Sequence, residues 1–165
     1  MIRWKSFRAL HKWGAAVTAI PLLLIILSGI LLQFKKESSW IQPPSQTGSS
    51  TQPLISFDSL FTRVAELPET QITSWQDIDR IDVRPSRGIM KILTRDNIEI
   101  QMDSATGEIL QTATRRSDII EDIHDGSWFF SGAKLFLFFP IAVIILSLWL
   151  SGIFLLIRPW LKRQL

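Results

Sequence analysis

Two stretches without a charged residue constrain this chain more than any other feature: Trp13–Phe34, 22 residues, and Leu135–Ile157, 23 residues. A helix rises about 1.5 Å per residue, so each run reaches about 33 Å as a helix, enough to cross a hydrocarbon layer about 30 Å thick. Both runs are therefore expected to be transmembrane helices. In a chain of 165 residues, that leaves room for one small folded domain between them.

Charge is segregated to match. All 15 acidic residues lie between Glu37 and Asp125, where eight basic residues accompany them, so this span carries a net charge of −7. The remaining basic residues sit at the flanks of the apolar runs. A sequence pI near 9.6 thus reflects membrane flanks, and no nucleic-acid partner is expected. The first run exceeds a signal-peptide core of about 7–15 residues. No Ala-x-Ala cleavage site follows it, and Lys35-Lys36 come next, so it reads as an uncleaved anchor.

Orientation follows the basic residues nearest the ends. Arg3, Lys5, Arg8 and Lys12 precede the first run, and Arg158, Lys162 and Arg163 follow the second. Only Lys35, Lys36 and Lys134 lie on the other side. Both termini are expected in the cytoplasm, with residues about 37–128 in the periplasm of a bacterial inner-membrane protein. Trp13, Trp40, Trp128 and Trp160 fall near the expected interfaces, whereas Trp149 lies inside the second run and is expected to pack or to pair its N–H.

The expected organisation is a basic N-terminus over 1–12 and a first helix over 13–34. A polar linker over 35–53 and an α+β domain over 54–127 follow. An interfacial segment with the second helix spans 128–157, and a basic tail 158–165. The linker, with Pro43-Pro44 and a run of Ser, Gln, Thr and Gly, has no hydrophobic periodicity and reads as a tether. Ser56 is placed to cap a helix whose Phe57, Leu60, Phe61 and Val64 form one apolar face. Alternating segments around Ile78–Val83, Ile89–Leu93, Ile98–Met102 and Glu108–Gln111 then predict a three- or four-stranded antiparallel sheet. Gly107 supplies positive φ in its last turn. Ser117 opens a final short helix that ends near Gly126.

The two apolar runs share a pattern. Pro21 precedes Ser28-Gly29-Ile30, and Pro140 precedes Ser151-Gly152-Ile153. Small residues let a second backbone approach, so Ser28, Gly29, Ser151 and Gly152 are candidate helix-packing positions. A flat cofactor or a partner subunit could use the same surface.

These features resemble a known family. Asp103-Ser104-Ala105-Thr106-Gly107-Glu108-Ile109-Leu110 looks like the hairpin of PepSY domains. Leu10-His11-Lys12-Trp13-Gly14 leading to Leu27-Ser28-Gly29-Ile30 resembles the first helix of PepSY-associated transmembrane proteins. Ile123-His124-Asp125-Gly126-Ser127-Trp128-Phe129 and the helix ending Ser151-Gly152-Ile153 resemble their closing segment. Ser131-Gly132-Ala133-Lys134 stands where relatives often carry Gly-Arg-Trp. The resemblance implies a fold of class α+β, with two transmembrane helices flanking a small extracytoplasmic PepSY-like domain.

It also implies two kinds of function. PepSY domains are thought to act as interaction or inhibitory modules. On that basis the chain is expected to be a non-catalytic accessory subunit in metal or siderophore acquisition or in membrane electron transfer. Its partners would be the lipid bilayer and another membrane or periplasmic protein, or a second copy of itself. Alternatively, some larger relatives resemble ferric reductases with b-type haem, and the matching histidines here are His11 and His124. These lie at opposite ends of the membrane segments and could not ligate one haem together in one chain. A dimer or partner would have to complete each site, and the protein would then be part of a membrane oxidoreductase.

Other chemistry has little support. With no cysteine there is no disulfide, iron–sulfur cluster, thiolate nucleophile or c-type haem attachment. No nucleophile elbow, His-Glu-x-x-His or phosphate-binding glycine loop is present. Glu121, Asp122, His124 and Asp125 lie close in sequence, but on a helix they diverge, and no metal site is expected there.

Overall fold

The computed structural model describes residues 4–161, with side chains from 8 to 157. The side chains of Arg3, Lys5, Arg158, Trp160, Lys162 and Arg163, on which the orientation in part rests, lie outside the described residues. The chain divides into two units, Met1–Leu32 with Ile119–Leu165, and Gln33–Asp118.

The first unit is built on two long helices, α1 (Trp4–Gln33) and α4 (Phe139–Leu161). Their segments Arg8–Gln33 and Lys134–Ile157 are long and apolar enough to cross a membrane. Only 11% and 6% of their most apolar windows are buried, whereas the core helix of a soluble protein would be mostly covered. The exposed side chains, among them Leu10, Ile20, Phe136 and Leu156, form the surface that a bilayer would solvate. Trp149 belongs to this exposed set instead of packing, because α4 turns it outward.

Neither proline breaks its helix. Pro21 lies within the continuous α1. Pro140 is the second residue of α4, and the helical path runs through it without a break. A π-helical turn, Lys134–Phe138, leads into it. Where the helices meet, Gly14 lies against Leu148: a Cβ there would come within 3.1 Å of the Leu148 side chain.

The second unit is a four-stranded antiparallel meander in the order β1 (Ile78–Arg84), β2 (Ile89–Thr94), β3 (Ile98–Asp103), β4 (Ile109–Thr114). This settles the strand count at four. The helix α2 (Phe57–Ala65) covers one face. Its Ser56 cap accepts from the Ser59 N–H, as the sequence predicts. Leu60 and Val64 then meet Ile72, Met90, Ile92, Ile100 and Met102 in the core. Gly107 has φ +76 in the turn before β4.

The alternate residues of β2 and β3 face the other way, and there Lys91, Glu99, Gln101 and Asp103 are buried beside Ile89 and Leu93. Glu99 accepts from Lys91 Nζ at 2.8 Å and from Arg115 Nη1 at 2.9 Å. Arg115 Nε also reaches Asp118 at 2.9 Å, and Arg80 joins the same carboxylate. Asp118 lies in the first turn of the last short helix, α3 (Ser117–Asp125).

Residues 41–50, expected to be a free tether, instead lie against this face. The Gln46 N–H donates to Gln101 Oε1 at 2.8 Å, and Gln101 Nε2 donates to the Pro44 carbonyl at 2.9 Å. The Ser49 N–H donates to Asp103 Oδ2 at 2.6 Å, and the Gly48 N–H to the Arg87 carbonyl at 2.8 Å. A segment held by backbone-to-side-chain bonds needs no hydrophobic periodicity, so none is written in its sequence.

Candidate functional site

The first unit holds two sites of the same construction, one near each end of α1. At one, His11 Nδ1 lies 2.8 Å from Ser151 Oγ of α4. At the other, His124 Nδ1 lies 3.0 Å from Ser28 Oγ and 3.1 Å from the Ile25 carbonyl of α1. From His11 to Ser28, α1 rises about 25 Å at about 1.5 Å per residue, so the two sites are about a bilayer core apart.

Hydrogen-bond accounting assigns the protons. A serine hydroxyl has one hydrogen to give. Ser151 Oγ donates to the Leu148 carbonyl at 2.8 Å, and Ser28 Oγ donates to the Leu24 carbonyl at 2.6 Å. Each serine oxygen is then an acceptor toward the imidazole, so Nδ1 carries the proton in both histidines. For His124 the Ile25 carbonyl, which can only accept, requires the same tautomer. In a neutral ring with this tautomer, Nε2 is the nitrogen that keeps its lone pair.

A glycine lies beside each ring, and at His124 it makes room. A Cβ on Gly29 would stand 3.2 Å from His124 Cε1, and one on Gly152 would stand 3.9 Å from His11 Cε1. The first contact is tight and the second ordinary. The His11 site opens on a groove of about 320 Å³, lined by Leu10, Gly14, Val143, Ile144 and Leu148 among others.

The six residues singled out from the sequence thus fall into two groups. His11 meets Ser151 and Gly152, and His124 meets Ser28 and Gly29. The sequence suggested histidines and Ser-Gly pairs as separate features, because the partners lie 140 and 96 residues apart. The repeated Ser-Gly pattern was the available signal.

The acidic neighbours of His124 are engaged elsewhere. Burial pushes the Asp125 carboxyl up, but hydrogen bonds from Lys134 and Ser127 overcome this and bring it to about 2. Ser127 Oγ, whose one proton lies between two carboxylates, is also 3.1 Å from Asp122 Oδ1. Among the described residues no three His, Asp or Glu side chains converge as a metal site.

The buried Lys91–Glu99–Arg115 network was not foreseen. Its one sequence signal is a lysine inside the otherwise apolar Ile89-Met90-Lys91-Ile92-Leu93.

No curated protein and no solved structure matches the chain. A family model described as the PepSY-associated TM region matches residues 8–164, a range that contains both histidine sites and the four-stranded domain. The chain belongs to the family of PepSY-associated transmembrane proteins, as a membrane protein with two apolar helices around a PepSY domain.

Proposed function

We propose that this protein is a non-catalytic accessory subunit of a membrane system for metal acquisition or electron transfer, with its PepSY domain as the interaction module. Both termini are in the cytoplasm and residues about 37–128 are in the periplasm. The observation that supports this reading is an aromatic patch on the domain surface. Phe57 is 59% exposed and Trp75 46% exposed. Trp75 stacks on Phe61 at 4.8 Å between centroids and meets Phe57 edge-on at 6.5 Å.

The patch is held rigidly. Leu60 and Val64 anchor α2 in the core, which fixes Phe57 and Phe61 on its flank. The Asp77 carboxylate accepts the Thr73 and Ser74 N–H groups at 2.9 and 2.8 Å, which fixes the short turn carrying Trp75. Pre-ordered aromatic rings lose little entropy on binding and dominate many protein interfaces.

The test compares proteins crosslinked to the full chain in membranes. Phe57→Ser/Trp75→Ser is expected to lose the crosslinked partner while remaining folded. His11→Ala/His124→Ala is expected to retain it. Loss in the histidine variant with retention in the aromatic one would overturn the reading.

The shared histidine tautomer favours a second reading, a b-type haem protein. A metal-ligating histidine commonly donates its other ring N–H to an oxygen, as His11 and His124 do. The donor set fits haem one ligand at a time: His11 and His124 would each hold a group, with a second ligand from another copy or a partner. Bound haem would supply one-electron transfer. Oxidised and reduced visible spectra of protein from haem-replete cells decide. A stoichiometric b-type spectrum lost in both histidine variants would establish this reading, and a colourless preparation that stays colourless with added haem would dismiss it.

A further inference from the structure

The geometry points to a binding site for a phosphoryl anion in the PepSY domain. A cavity of about 330 Å³ is lined by Lys35, Lys36, Arg84, Arg87, Gln42 and Ser45, with Pro43 and Pro44 as its wall. No carboxylate is among the lining residues. The approach of Asp82 to Arg84 is long, 3.9 Å. Between Glu37 and Asp125 the chain is strongly acidic, yet Lys36, Arg84 and Arg87 gather around this one cavity. Such a cluster draws an anion to itself.

The residue types narrow the anion. Arginine presents a planar fork of donors that matches phosphate, and two arginines can share its oxygens. Arg87 spends one nitrogen on the Ser45 carbonyl, at 3.4 Å. The remaining donors of its guanidinium stay available for an oxyanion. The cavity has the size of a phosphate or a phospholipid headgroup, at the small end of ligand pockets.

The site is built and not incidental. Arg84 ends β1, and Arg87 lies in the turn to β2. The opposite wall is the segment 42–45. Gly48 ties the two together, for its N–H donates to the Arg87 carbonyl at 2.8 Å. A Cβ at Gly48 would come within 2.0 Å of the Gly88 oxygen, so glycine alone permits this approach. Lys36 follows the apolar span ending at Gln33 by three residues. Chain connectivity therefore keeps Lys36 at the depth of lipid phosphates. A headgroup and a free phosphate offer the same chemistry, and the experiment separates them.

The full chain in mild detergent is titrated with dihexanoyl phosphatidylglycerol and, separately, with inorganic phosphate, using calorimetry. Binding of at least one is expected, weakened about tenfold or more in Arg84→Gln/Arg87→Gln, since charge-assisted bonds are lost. Arg84→Lys/Arg87→Lys retains the charge and is expected to lose less. Lys36→Gln gives an independent reduction in a variant that leaves the sheet untouched. Binding of the lipid alone identifies a headgroup site, and binding of both identifies a general phosphoryl site. Absence of binding, or equal binding in the wild type and the folded glutamine variants, overturns the proposal.

Discussion

His124 Nδ1 donates to Ser28 Oγ across 3.0 Å, joining residues 96 apart in sequence. The Ile25 carbonyl shares the same proton. Ser28→Ala therefore leaves His124 with one acceptor, and the expected cost is about 0.5–1.5 kcal/mol. A double-mutant cycle with His124→Ala is expected to be non-additive, because each single variant removes the same contact. Thermal unfolding of the full chain in detergent measures it, and additive losses would contradict the hydrogen bond.

The Glu99 carboxylate lies buried between Lys91 and Arg115, and Lys91 itself is only 2% exposed. Glu99→Gln leaves a buried ammonium without its counter-charge. The expected destabilisation is about 3–5 kcal/mol. Lys91→Met/Glu99→Met removes both charges and is expected to cost less than Glu99→Gln. Comparing the melting temperatures of the two variants decides.

Acid is expected to loosen the segment 41–50. The Ser49 N–H, joined by Thr106 and Ala105, holds the Asp103 carboxyl well below its ordinary 3.8 against the opposing effect of burial. A depressed carboxyl contributes stability above its unfolded value, and the contribution is lost as pH falls through the folded value. Asp125 behaves alike, losing its contribution between 3.8 and about 2. Hydrogen exchange at Ser49 should therefore stay slow down to pH 4 and accelerate below it. Asp103→Asn should exchange faster already at pH 7.

Gly88 has φ +67, and a Cβ there would stand 2.3 Å from the Ser50 carbonyl. Gly88→Ala combines backbone strain with a collision against backbone. Its expected cost is about 1–3 kcal/mol. Faster exchange over residues 46–50 with an unchanged α2 would locate the damage at the contact between turn and segment.

A reporter that is active only in the cytoplasm, fused after Leu165, is expected to be active. Periplasmic activity of a complementary reporter at that position would invert the orientation.

The membrane helices were legible because crossing a bilayer demands a long charge-free run, and Trp13–Phe34 and Leu135–Ile157 supply it. The sheet was legible because alternation has period two and its turns carry Gly and Asp. So the sequence by itself determined the order of the elements, the α+β class and the family. Only the tertiary structure decided that Ser28 stands beside His124 and Ser151 beside His11. It alone laid residues 41–50 along the sheet face that carries Gln101 and Asp103. Helices and strands arise from local periodicity, which one window of sequence contains. A hydrogen bond between residues 96 or 140 apart leaves no periodic trace, because it depends on how whole elements pack.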